Sequence, residues 1–149
     1  FNTFASLAQF SPALPLIGGG KTKFSPIYVG DVAKAIVKTL KLENSKPKIY
    51  ELGGPKNYSF KELMEILLEE IKKKRFLIPI PFSVAKLQSY FLQMMPNPLL
   101  TSDQVDMLKY NNIVSGEYPT LEDLGIRGKT IQSILPKYIY RFRTGGQFG

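Results

Sequence analysis

The 149-residue sequence contains neither cysteine nor histidine. Without cysteine there is no disulfide framework, no thiolate metal site and no cysteine nucleophile, which suits a reducing compartment. Without histidine the commonest general base, triad partner and imidazole metal ligand are missing, so catalysis would have to run through Tyr, Lys, Asp, Glu or Ser. No window approaches the roughly 18 apolar residues of a membrane-spanning helix, and no basic-then-apolar leader opens the sequence. Negative charge is also scarce: 12 Asp and Glu stand against 20 Lys and Arg, a net charge of +8. That surplus favours acidic partners, whether nucleotide phosphate, anionic membrane, nucleic acid or an acidic subunit, without choosing among them.

What is present fits one modest domain or part of one, with 44% hydrophobic residues. The sequence opens on Phe1 rather than methionine, and Phe4, Leu7 and Ala8 follow at helical spacing. The expectation is a piece cut from a longer chain. Two prolines and a glycine triplet in residues 11–20 read as a loop, a short strand and a turn, with residues 21–23 exposed. Residues 24–29 read as a strand feeding a helix that carries Val32, Ala33, Ile36, Val37 and Leu40. Asp31 falls at the start of that helix, where a carboxylate meets free N–H groups and the positive end of the dipole.

Residues 49–52 read as a second strand, closed by Gly53, Gly54 and Pro55. Ser59 and Glu62 form a capping box ahead of an apolar stripe of Phe60, Leu63, Met64, Leu67, Leu68 and Ile71. The basic run Lys72, Lys73, Lys74, Arg75 suits a solvated helix C-terminus better than a nucleic-acid or lipid patch, because no aromatic residues interleave it. Residues 76–81 (FLIPIP) are extended, and their prolines exclude a central sheet position. Val84, Leu87, Phe91 and Met94 mark a helix across residues 83–95 that stops before Pro96. Met94 and Met95 beside Tyr90 and Phe91 suit core packing, with a partner surface as the alternative. Thr101 and Gln104 make another capping box, Gly125 ends a helical turn, and Ile131, Leu135, Tyr138, Ile139 and Phe142 form a last stripe around Pro136. Residues 143–149 read as a frayed tail.

Few residues recommend themselves for chemistry. Gly18, Gly19 and Gly20 followed by Lys21 invite a phosphate-loop reading, but the glycines precede a strand instead of joining a strand to a helix, and neither glycine-loop spacing is met. A turn beside a pocket is the better reading. Glu69, Glu70, Glu122 and Asp123 read as solvated surface. Tyr28 and Tyr50 lie in strand-like context without the Tyr-x-x-x-Lys spacing, so no catalytic residue is assigned.

The stretch FSPIYVGDVAKAIVKTL resembles the last strand-helix unit of extended short-chain dehydrogenases and nucleotide-sugar epimerases, on Phe24, Ile27, Tyr28, Val29, Asp31, Val32 and Ala33. Taken with the opening FNTFASLAQF, then YELGGP, LTSDQVDMLKYNNIVS and LPKYIYRFRTGGQF in that order, the whole sequence is similar to the atypical extended dehydrogenase family. That family includes the nucleotide-binding accessory subunit of respiratory complex I and bacterial NAD-dependent epimerase/dehydratase relatives.

The resemblance implies an α/β fold. Residues 1–149 would be the C-terminal, mostly helical substrate-side part of a Rossmann-like NAD(P)-binding protein, with a few strands. The dinucleotide-binding part and any tyrosine-lysine pair would lie upstream of Phe1. NAD or NADP would belong to the full-length protein, with no cofactor for the piece alone. A substrate pocket would involve Asn2, Gly20, Lys21, Lys23, Phe24 and Tyr28. Phe24 occupies the place of a diphosphate-binding arginine, and a phenyl ring cannot make that bidentate contact, which argues against a sugar nucleotide unless Lys21 or Lys23 substitutes.

The expected role is accessory or assembly factor for complex I. The alternative is an active NAD(P)-dependent reductase or epimerase on a small or nucleotide-linked substrate. A weaker option is a peripheral lipid-binding module using residues 72–75 and 82–95. Expected partners are the protein's own N-terminal part and complex I subunits, with no nucleic acid and no transmembrane segment. The location would be the cytoplasm, peripheral to a bacterial inner membrane, or the mitochondrial matrix side. Alone, the piece should expose sheet edges and uncovered apolar faces.

Overall fold

A computed structural model describes residues 1–42, 49–92, 94, 100–143 and 145. Helix α1 (Asn2–Phe10) leads into strand β1 (Ala13–Ile17), a 3-10 turn (Gly18–Gly20) and strand β2 (Lys23–Phe24). Helix α2 (Val29–Leu40), strand β3 (Tyr58–Ser59), helix α3 (Phe60–Glu70) and strand β4 (Phe76–Ile80) follow. Helices α4 (Phe82–Leu92), α5 (Ser102–Met107) and α6 (Ile131–Ile139) complete the chain, with a 3-10 turn at Tyr140–Phe142. The fold is mixed α/β, with more helix than strand, a small parallel sheet of β1 and β4, and an antiparallel pair of β2 and β3.

Helix α3 is the central element. The Ser59 side chain accepts the Glu62 N–H while the Glu62 carboxylate accepts the Ser59 N–H at 2.6 Å, satisfying donors the first turn leaves unpaired. Its stripe of Phe60, Leu63, Met64, Leu67, Leu68 and Ile71 is buried as the periodicity predicts. Each such side chain contributes about 1.5–3 kcal/mol of transfer free energy. Against it pack Ala5 and Ala8 of α1, Leu14 and Leu16 of β1, and Ile131, Leu135, Ile139 and Phe142 of the last helical stretch. The Phe4 ring meets Phe60 edge-on at 5.5 Å.

The β1 and β4 strands pair in parallel, Leu14 opposite Leu77 and Leu16 opposite Pro79. Pro15 and Pro79 lack an N–H, and neither strand has a second neighbour among the described residues. Helix α5 carries the second capping box, Thr101 with Gln104, and Pro136 lies within α6. The turn at residues 121–125 ends on Gly125, whose N–H bonds the Glu122 carbonyl at 2.7 Å.

Several local expectations need correction. The strand expected over 24–29 stops at Phe24, because Pro26 offers no donor and Ser25 spends its backbone on Asn112 and Gly54. Residues 49–52 form no strand; the Glu51 N–H meets the Pro119 carbonyl at 2.9 Å, and one bond is not a ladder. Thr22 is buried, its hydroxyl donating to the Leu108 carbonyl. The basic run is only half solvated: Lys73 donates to the Gln9 side chain and Arg75 to the Ala8 carbonyl at 2.8 Å, tying the end of α3 to α1. Glu70 pairs with Arg143 rather than standing free.

The α4 expectation is turned around. Its buried positions are Ala85 and Ser89, while Val84, Leu87 and Tyr90 face outward, and Met94 beyond the helix is 86% exposed. Small residues let α4 approach its neighbour closely, and Lys86 holds Asp106 of α5 at 2.9 Å. The Phe91 side chain, Met95, the Pro96 stop and most of the tail after Arg143 lie outside the described residues.

Helix α2 leaves one apolar side uncovered. It buries Asp31 and Ala35, the latter against Leu121 and Leu124. Val29, Ile36, Val37 and Leu40 face outward, Leu40 with 81% of its surface exposed.

Candidate functional site

The segment between β2 and α2 forms one wall of a cavity of about 350 Å³. Pro26, Ile27, Tyr28 and Val29 face Lys129 to Ile131 and then Ile134, Leu135 and Tyr138 of α6, and Phe1 and Asn2 close one end. A cavity of this size suits a small molecule.

The local geometry follows from the residues. Tyr28 is the N-cap of α2 with extended backbone (φ −76°, ψ 129°), so its ring leaves the helix axis. Gly30 lets that ring fold back, since a Cβ there would meet the Tyr28 Cε1 at 2.4 Å. Asp31, in the first turn and 0% exposed, is not a cap. Its Oδ2 accepts the backbone N–H of Lys129 at 2.8 Å, and its Oδ1 lies 3.4 Å from the Lys34 ammonium. A buried carboxylate needs such partners, because desolvation otherwise penalises the charge.

The anchor brings residue 129 to the mouth of the cavity, where the Lys129 ammonium sits 4.9 Å from the centre of the Tyr28 ring. Ile131 and Leu135 are buried in the wall, whereas Tyr138, expected in the last apolar stripe, is 48% exposed at the rim. Among the described residues no Asp or Glu lines the cavity, so the Lys129 ammonium is unopposed there.

Of the residues singled out from sequence, the structure brings Asn2 and Tyr28 together in this cavity. Gly20 abuts Lys61 of α3, and Phe24 packs against Phe60 at 6.5 Å, both outside the lining. Lys21 and Lys23 are exposed, and the Lys23 N–H bonds the Asn111 side chain at 2.9 Å. Sequence reasoning missed Lys129, Ile134 and the rest of the far wall. The one signal was Asp31, a carboxylate whose true partner lies 98 positions away.

Elsewhere several ionisable groups are tied into structural contacts. Lys109 and Lys86 hold the Asp106 carboxyl below its ordinary range, and the Lys86 ammonium is raised in return, first by its hydrogen bond to Asp106. Ser115 lowers Glu51, and Thr120 lowers Asp123. No cluster of carboxylates among the described residues can hold a metal ion, and no described helix is long and apolar enough to cross a membrane.

No family model matches the chain. Curated proteins do. Subunit 9 of the mitochondrial NADH dehydrogenase [ubiquinone] 1 alpha subcomplex of Arabidopsis thaliana is 36% identical over 143 residues, 89% of this chain and 36% of that protein. The mitochondrial NADH-ubiquinone oxidoreductase 40 kDa subunit of Neurospora crassa is 26% identical, over 87% of this chain and 35% of the subunit. The subunit 9 protein of Mus musculus is 28% identical, over 96% of this chain and 38% of its own length. The chain thus spans little more than a third of the length of these relatives.

Proposed function

Because the chain is similar along most of its length to subunit 9 of the mitochondrial NADH dehydrogenase alpha subcomplex, we propose that it is the C-terminal, substrate-side part of an accessory subunit or assembly factor of respiratory complex I. The part that binds NAD or NADP is supplied by residues preceding Phe1. The protein works on the matrix side of the mitochondrial inner membrane, or on the cytoplasmic side of a bacterial one.

The structural observation that carries this reading is the outward stripe of α2. Val29, Ile36, Val37 and Leu40 share a helical side and stand in solvent. Such a stripe costs free energy unless something covers it. The relatives' additional length, nearly two-thirds of each, supplies a natural cover in the same polypeptide. The outward residues Val84, Leu87 and Tyr90 of α4 offer a second apolar strip, suited to a neighbouring subunit.

Affinity purification of the tagged full-length protein from membrane extracts tests the proposal. Complex I subunits are expected to co-purify and to co-migrate on native gels. Repeated enrichment of other proteins without them overturns the proposal. The second reading, an active NAD(P)-dependent reductase or epimerase, is favoured by the cavity beside Tyr28. Turnover of a small substrate by the full-length protein with NADH or NADPH would select it.

A further inference from the structure

The cavity combines two features that packing does not account for. Its walls are largely apolar, through Ile27, Ile131, Ile134 and Leu135, and among the described residues the only charged side chain lining it is Lys129 at the rim. Among the described residues no carboxylate pairs with that ammonium; its one contact is the face of the Tyr28 ring at 4.9 Å. The Lys129 backbone is held by the buried Asp31, so the base of the side chain is fixed in place. An ammonium over an aromatic face retains unused hydrogen-bonding capacity. An anion at the rim would use it in a charge-assisted bond that the ring cannot provide.

We propose that this cavity binds a small amphiphilic monoanion: an apolar body lodged against Tyr28 and α6, with one terminal carboxylate or similar group held by Lys129 at the mouth. The chemistry disfavours two other classes. A diphosphate would find one lysine where it needs several cations, and a sugar would set much of its polar surface against Ile27, Ile131, Ile134 and Leu135, with only Asn2, Thr130 and two tyrosines to pair its hydroxyls. About 350 Å³ suits one ring pair or a medium acyl chain. The inference does not depend on association with complex I. Loss of the pocket would show in ligand titration and leave co-purification unchanged.

The test is fluorescence titration of the full-length protein with two probes of similar shape, anionic 1-anilinonaphthalene-8-sulfonate and uncharged N-phenyl-1-naphthylamine. Both are expected to occupy one saturable site. Lys129→Met should weaken the anionic probe by roughly tenfold or more and change the neutral one by less than about twofold, while Lys129→Arg keeps most of the anionic affinity. Lys129 is exposed, so these variants do not disturb the core. Ile134→Trp, checked for an unchanged far-UV spectrum, should block both probes. Equal effects of Lys129→Met on both probes, or no effect on either, overturn the proposal. So does undiminished binding of both probes to folded Ile134→Trp.

Discussion

Across 98 positions of sequence, the Asp31 carboxylate accepts the backbone N–H of Lys129 at 2.8 Å. One end of α2 is thereby joined to the approach to α6, and the cavity lies between them. Asp31→Ala would leave a donor without its partner. It is expected to cost about 1–3 kcal/mol, read as a lower denaturation midpoint. Asp31→Asn keeps an acceptor and should cost less. Equal losses in the two variants would show that the hydrogen bond to Lys129 is not what matters.

Gly54 tests a close backbone approach. A Cβ there would lie 1.9 Å from the Pro26 carbonyl oxygen, which is backbone and cannot swing aside. Gly54→Ala is expected to destabilise by at least about 2 kcal/mol. Gly116, at φ +82° with nothing within 4 Å of a Cβ, should lose only about 1 kcal/mol on the same change. Chemical denaturation of the two variants side by side checks the order.

The acid side of the stability profile follows from carboxylates held low. The Ser59 backbone N–H lowers Glu62 first, followed by the Ser59 hydroxyl; Lys109 and Lys86 do the same for Asp106. A carboxylate whose folded pKa is depressed adds stability above its unfolded value and loses it as pH falls through the folded one. Wild type should therefore be favoured over Glu62→Gln near neutral pH, with the gap closing as pH drops below about 4. Urea midpoints measured from neutral pH down to about pH 3 would show this, and a constant gap would count against it.

A longer protein that covers the α2 stripe would respond to substitution there differently from these 149 residues alone. In the full-length protein, Leu40→Lys is expected to cost about 2 kcal/mol, because the side chain leaves an apolar contact. In the 149-residue piece the same change should leave the melt unaltered and reduce self-association. Matched thermal melts and sedimentation of both lengths decide; an equal loss in each would mean that nothing outside these residues covers Leu40.

Much of the helical structure was legible because its determinants are local. Ser59 with Glu62 and Thr101 with Gln104 act over three residues, and a helical stripe is read directly from its spacing. Strands fared worse. Whether residues 24–29 or 49–52 join a sheet depends on a distant neighbour: Phe24 pairs with Tyr58, whereas Ser25 bonds Asn112 and Glu51 bonds Pro119. The candidate site was legible only at Tyr28 and Asn2, since its far wall arrives from the other end of the chain.

The sequence alone determined the capped starts of α3 and α5, the burial of the α3 stripe, and the exclusion of cysteine and histidine chemistry. These depend on residue identity and on neighbours one turn away. Only the tertiary structure decided that α2 and α4 turn apolar residues outward, that Asp31 serves Lys129 rather than capping its own helix, and that a cavity opens beside Tyr28. Periodicity reports that a helix has an apolar side. Which element covers that side is set by long-range packing, where one buried carboxylate or one close glycine contact outweighs any local preference.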